Sequence, residues 1–118
     1  MIIREAIELL NAEPHYTQGD QLDIEVKTAR ASDFMSEVLT EEAVPDILIT
    51  GLCNAHVIRT ASVFGIKAVI FVRGKTCSPK MIDLAMEENI VIMTTHNSLY
   101  TTCGKLYVRG IRGATEKQ

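Results

Sequence analysis

The segments Ile47-Leu48-Ile49-Thr50-Gly51 and Ala68-Val69-Ile70-Phe71-Val72 decide the fold. Each is a short apolar run that ends on a small turn and opens into a segment of helical period, the pattern of a parallel βα unit. A third copy, Ile90 to Met93, leads through Thr94-Thr95-His96 to a closing helix. Strands are expected over 46–50, 67–72 and 90–93. Even spacing lays their carboxyl ends side by side along one sheet edge.

Working outward, each unit carries its own punctuation. A helix over 54–64 stops at Gly65, a left-handed C-cap. Ser78-Pro79 starts the next with a cap and a first-turn proline, and Met81, Ile82, Leu84, Ala85 and Met86 supply its buried face. Asn97 or Ser98 caps the last helix, which carries Leu99, Cys103, Leu106 and Tyr107. Upstream, Ile3, Ala6, Ile7, Leu9 and Leu10 recur at helical spacing, so 2–11 reads as an amphipathic opening helix. Pro14 ends it or begins the next strand. Residues 15–17, a turn at Gln18-Gly19-Asp20, and alternation through Leu22, Ile24 and Val26 toward Ala31 predict a short strand followed by an extended arm. Ser32 or Asp33 caps a brief helix carrying Phe34, Met35, Val38 and Leu39, which breaks off at Glu41-Glu42 before Pro45. Gly110, Gly113 and the polar tail 114–118 are expected to fray.

Strands of this kind need cover on both faces. The expected fold class is α/β, a three-layer or partly open α/β/α sandwich with a mainly parallel sheet built from consecutive βα units. The 118 residues make one domain, near the modal size. Apolar residues at 47% and charged residues at 23% are ordinary for a globular chain. The longest uncharged apolar run, 68–72, is far short of the roughly 20 residues that a membrane helix needs. The start, Met1-Ile2-Ile3-Arg4-Glu5, becomes charged at once and does not read as a signal peptide, so a cytoplasmic location is expected. A net charge of −3 provides no basic field for nucleic acid. Cys53, Cys77 and Cys103 are odd in number and widely separated, as reduced thiols are.

The sheet edge collects Thr50, Gly51, Cys53, Asn54, Arg73, Gly74, Lys75, Thr95 and His96 as candidate ligand-binding residues. Arg73 and Lys75, beside helix starts expected near Asn54, Ser78 and Asn97, favour a phosphate or carboxylate. The alternative is that they are simply solvated loop cations. Arg73-Gly74-Lys75-Thr76 ends like a phosphate-binding loop, but the first glycine of G-x-x-x-x-G-K-[ST] falls at Val69, inside a strand, so the match fails. Cys53, near a helix start, is either a thiol of lowered pKa or a small buried hydrophobe. Its spacing from His56 puts two potential metal ligands on one helical face, yet nothing in the sequence brings Cys77, Cys103 or His96 to them, and no metal or cofactor is expected. His96 is a general acid, a phosphate contact or a structural hydrogen-bonder. No set of nucleophile, base and orienting partner can be assembled, so the chain reads as non-enzymatic.

The opening helix, the arm ending in Ser32-Asp33, Ile49-Thr50-Gly51 and the stretch Val57-Ile58-Arg59-Thr60-Ala61 leading to Gly65-Ile66-Lys67-Ala68-Val69-Ile70 together resemble a DRTGG domain. The resemblance covers nearly the whole chain. It is similar in particular to short stand-alone members, which share segments such as Val72-Arg73-Gly74-Lys75 and Cys103-Gly104-Lys105-Leu106-Tyr107. Where longer relatives carry Asp-Arg after the first strand, this chain has Cys53-Asn54. Where they carry Thr-Gly-Gly after the second, it has Val72-Arg73-Gly74. The family is similar to the N-terminal domain of HPr kinase and occurs beside nucleotide-sensing CBS domains in regulatory pyrophosphatases and in phosphotransacetylases. Stand-alone members often lie near genes for iron-only hydrogenases and signalling proteins. The resemblance implies a regulatory, dimer-forming module with a regulatory protein partner.

The expected function is therefore a non-enzymatic module that forms a homodimer and binds a nucleotide, a phosphorylated metabolite or a protein partner. Two alternatives stand beside it. One is a thiol-based redox or hydrogenase-associated accessory protein that uses Cys53 and His96. The other is an interaction scaffold whose loops are incidental.

Overall fold

The computed structural model describes residues 1–35 and 43–115. Helix α1 (Ile3–Leu10) opens the chain, followed by strand β1 (Glu13–Tyr16), a 3-10 turn (Gly19–Asp23) and β2 (Thr28–Ala31). The βα units then follow as β3 (Ile47–Thr50), α2 (Ala55–Phe64), β4 (Ala68–Phe71), α3 (Pro79–Glu88), β5 (Val91–Thr94) and α4 (Leu99–Val108), before a short β6 (Arg112–Gly113). One six-stranded sheet has the order β1-β5-β4-β3-β2-β6. β2 to β6 all run parallel, and β1 pairs antiparallel with β5.

Period-two alternation divides the strands between two cores. Leu48, Val69, Phe71 and Ile92 face one side and meet Val57, Ile58 and Ala61 of α2 and Met81 and Ala85 of α3. Ile47, Ile49, Ile70, Val91 and Met93 face the other and meet Ile3, Ala6 and Leu10 of α1 and Leu106 of α4. The architecture is the mainly parallel three-layer α/β/α sandwich that the apolar runs imply. Every residue of β3, β4 and β5 is buried.

Local chemistry sets the element ends. Asn54, Ser78 and Ser98 each accept a hydrogen bond from the backbone N–H three residues on, at 3.1, 3.2 and 3.1 Å, which satisfies a donor at each helix start. Gly65 closes α2 at φ 75°. The Asp46 carboxylate, just before β3, accepts the Lys27 amide at 2.7 Å and pairs with Lys67 at 3.3 Å. It thereby ties β2, β3 and β4 together at their amino ends.

The structure departs from the sequence reading in three places, two in the amino-terminal region and one near the carboxyl end. The predicted strand over 15–17 is β1, one residue or more earlier, and it lies at the sheet edge, where Pro14 costs no ladder bond. The alternation through Leu22 and Ile24 belongs to a 3-10 turn and an extended approach; its apolar members pack beside the α1 core with fully buried Val26. Gly113, expected to fray, pairs with Ala29, and Arg112 with Thr28. Of the predicted brief helix, Phe34 is exposed and Met35 is buried, whereas Val38, Leu39, Glu41 and Glu42 lie outside the described residues, as do 116–118 of the tail.

The double-sided burial sets a test. Leu48→Ala, in a side chain with 0% exposure, should lower the free energy of unfolding by about 2–5 kcal/mol. Val63→Ala, on the outer face of α2 at 79% exposure, should change it by under about 0.5 kcal/mol. Urea unfolding midpoints read both.

Candidate functional site

The topology makes a crevice at one place along the carboxyl edge. β4 sends its chain to α3 on one face and β5 sends its chain to α4 on the other. Adjacent strands whose connections part in this way leave a gap beyond their ends, the usual ligand position in open α/β sheets. A groove of about 460 Å³ occupies it, lined by Gly74, Lys75 and Thr76 after β4, by Thr94, Thr95 and His96 around the end of β5, and by Asn11, Glu13 and His15 from the start of the chain.

The turn after β4 is held in an unusual shape. Arg73 and Gly74 are both left-handed, at φ 63° and 66°. The other described non-glycine residues at positive φ, Asn11 and Asn89, are helix C-caps, a position that asparagine tolerates. Arginine has no such excuse, and the conformation costs roughly 1–2 kcal/mol. The turn is kept by internal bonds: the Arg73 amide donates to the Asn97 carbonyl at 3.0 Å and the Gly74 amide to the Thr95 carbonyl at 2.9 Å. Those amides are consumed, so charge at this turn comes from side chains.

Both glycines of the edge are sites of close approach. A Cβ on Gly74 would come within 2.8 Å of the His96 ring, and a Cβ on Gly51 would fall on the Arg73 guanidinium. Arg73 thus lies across Gly51, where it meets Asp33 at 3.5 Å. Asp33 in turn accepts the Gly51 amide at 2.7 Å. That amide bond, helped by Arg73 and opposed by burial, holds the Asp33 carboxyl below its ordinary value.

The nine candidate residues divide by role. Gly74, Lys75, Thr95 and His96 line the groove, and Arg73 flanks it with Gly51 and Thr50 on the β3 side. Lys75 and His96 are exposed. The Thr95 hydroxyl is committed to the Leu10 carbonyl at 2.8 Å, and Asn97 accompanies it there at 3.2 Å. The Thr50 hydroxyl is buried and accepts the Leu52 amide at 3.0 Å. Asn54 serves as the α2 cap. Cys53 stands before that cap rather than on the helix, so it shares no helical face with His56. Burial raises the Cys53 pKa above its ordinary value, although the Cys77 hydrogen bond and Lys75 oppose it. The thiol contacts the Thr76 carbonyl and Met81 at 3.6 and 4.0 Å, while His96 stacks on Gly74.

Sequence reasoning missed Glu13 and His15. Their place follows from the antiparallel pairing of Glu13 with Thr94, and His15 Nε2 lies 2.8 Å from the Thr94 hydroxyl. The available signal was Pro14, which marks an edge strand. A second groove, of about 250 Å³ between β2, β3 and α4, is mainly apolar, and its Arg112 is stacked on Tyr107 at 4.2 Å. Among the described residues, no group of three or more His, Cys, Asp or Glu is placed to hold a metal ion, and no helix is long and apolar enough to cross a membrane.

No family model matches the chain, and no curated protein does. A solved structure does: the CBS and DRTGG domains of the regulatory region of Clostridium perfringens pyrophosphatase, crystallised with its activator diadenosine tetraphosphate, superposes with a TM-score of 0.71 at 19% identity. The match covers 89% of this chain and 45% of that one. The chain therefore spans under half of that regulatory region, and the fold is of the kind found there.

Proposed function

We propose that this protein is a regulatory module of the stand-alone DRTGG type, without catalytic activity of its own, which binds a nucleotide or phosphorylated metabolite at the crevice between β4 and β5. The observation that carries this reading is the turn Arg73-Gly74-Lys75: a strained left-handed arginine and an exposed lysine at a point where the chain leaves adjacent strands toward opposite faces. Backbone strain of this sort persists at functional sites because a surrounding scaffold enforces it. Two cations at a strand terminus supply the charge that a phosphate needs. The likeness to a region crystallised with a dinucleotide polyphosphate activator adds weight to that ligand class.

A homodimer belongs to the same reading. Tyr100, Gly104, Tyr107 and Val108 follow one face of α4 at spacings of four, three and one, and Tyr100 and Val108 are 88% and 81% exposed. Such a stripe suits a two-fold contact with a second copy. Sedimentation of the parent should give a dimer, and Val108→Glu a monomer; a parent that sediments as a monomer at high concentration removes this part.

The ligand test is thermal unfolding against inorganic phosphate, AMP, ATP and diadenosine tetraphosphate. A compound present at about 100 times its dissociation constant stabilises by roughly 2.7 kcal/mol, a rise of about 10 °C for a domain of this size. Arg73→Gly relieves the left-handed strain while losing only an exposed ion pair, so its stability should stay within about 1 kcal/mol of the parent. Its ligand shift should vanish. Shifts that survive both Arg73→Gly and Lys75→Ala, or no shift with any of these compounds, would leave the interaction scaffold as the better account.

Asp33 provides a pH test of the same cluster. Its folded pKa is depressed below the ordinary 3.8, so its contribution to stability is present above that value and is lost as pH falls through the folded pKa. The stability gap between parent and Asp33→Asn should be constant at neutral pH and should close below about pH 4. A gap that stays constant through this range would show that the Gly51 and Arg73 contacts do not hold the carboxylate.

A further inference from the structure

We propose that Cys53, Cys77 and Met81 form a three-sulfur site for a soft monovalent cation, Cu(I) or Ag(I). Three sulfurs from two separate βα turns converge on one point. Cys53 stands before α2, whereas Cys77 and Met81 flank the first turn of α3, one residue before the Ser78 cap and three after it. The Cys53 sulfur lies 4.0 Å from the Met81 sulfur and 3.6 Å from the carbonyl of Thr76, the residue before Cys77, and it packs against the core cluster that holds both Cys77 and Met81. A metal bonded to sulfur at about 2.3 Å in trigonal geometry spaces its ligands about 4 Å apart, which is the separation of the Cys53 and Met81 sulfurs.

The chemistry of the set selects the ion. Thiolate and thioether together are soft ligands suited to Cu(I), whereas Zn(II) normally asks for four ligands and accepts nitrogen and oxygen. Cys77 and Met81 are 6% and 4% exposed and sit in the apolar core with Phe71 and Ile92. Cys53 is partly exposed and provides the entry. Uptake exchanges two thiol protons for one monovalent ion and leaves a net charge of −1 on the site. Lys75 acts electrostatically on Cys53 and offsets that charge. A simple disulfide between Cys53 and Cys77 would leave Met81 without a part. The site stands apart from the anion reading, since its test uses no nucleotide.

The reduced protein should be titrated with Ag(I), and with Cu(I) against a competing chelator, while a thiolate-to-metal absorption band and proton release are followed. One equivalent should bind and release two protons. Cys53→Ser or Cys77→Ser should weaken binding by at least about 100-fold, more than the loss of an outer-shell contact does, and Met81→Leu by about tenfold. Cys103→Ser, on the opposite core, should leave it unchanged. Cys53→Ser alters a partly exposed side chain, so a folded variant is expected, and circular dichroism verifies it. Any of four outcomes overturns the proposal: no uptake by the reduced chain, oxidation of Cys53 and Cys77 to a disulfide with no uptake under reductant, affinity unmoved by Cys53→Ser or by Met81→Leu, or dependence on Cys103.

Discussion

Burial of β3, β4 and β5 on both faces is the constraint from which the rest follows. A parallel sheet of this kind offers no wet side, so helices must be shared between its faces. α2 and α3 cover one, α1 and α4 the other. A chain that advances strand by strand across the sheet places its crossover helices on a single face, because the crossovers share one hand. To cover the second face, the chain must reverse. It does so after β5, crossing with α4 to reach β6 beyond β2. The crevice between β4 and β5 is therefore a consequence of covering the core, and the residues after those two strands inherit it.

What fills the crevice edge is a trade between strain and bonding. Amides of Arg73 and Gly74 point inward to the β5–α4 connection, which fixes the turn but removes those donors from any ligand. The two glycines give up their side-chain space to other groups, Gly51 to the Arg73 guanidinium and Gly74 to the His96 ring. The Arg73 guanidinium is thereby oriented by contact rather than left to wander. Thr95 works from beneath, holding the end of α1 through the Leu10 carbonyl, so the start of the chain is pinned where Glu13 and His15 join the groove.

The three βα units were legible because runs such as Ile47 to Thr50 and Ala68 to Phe71 are dictated by burial, and burial is what hydrophobic patterning records. Caps were equally legible: Ser78-Pro79 and Gly65 act through local bonds that no distant contact can override. The region 12–31 was less so. Leu22, Ile24 and Val26 do turn apolar faces to one core, but a 3-10 turn and an extended segment meet that requirement as well as a strand does. Gly113 finds its partner in Ala29, a pairing across most of the chain that leaves no local mark. The same limit applied at the site. Glu13 and His15 depend on strand pairing, and the meeting of Cys53 with Cys77 depends on two turns packing together, neither of which residue spacing encodes.

The segment 73–77 joins both proposed sites in five residues. Gly74 and Lys75 line the crevice with Arg73 at its flank, Thr76 lines it while its carbonyl receives the Cys53 thiol, and Cys77 belongs to the proposed sulfur cluster. An ion drawn to the sulfurs would fix Cys53 and Cys77, and with them the carbonyl of Thr76 and the backbone that carries Lys75. An anion held by Arg73 and Lys75 would fix the same backbone from the other end. Linkage then requires that each occupant alter the affinity of the other by the same factor. Its sign is set by charge: the bound sulfur site is anionic and uses Lys75 as its counter-charge, as does the phosphate. Two anionic sites that compete for one ammonium oppose each other, so the physics of this segment favours mutual exclusion over cooperation.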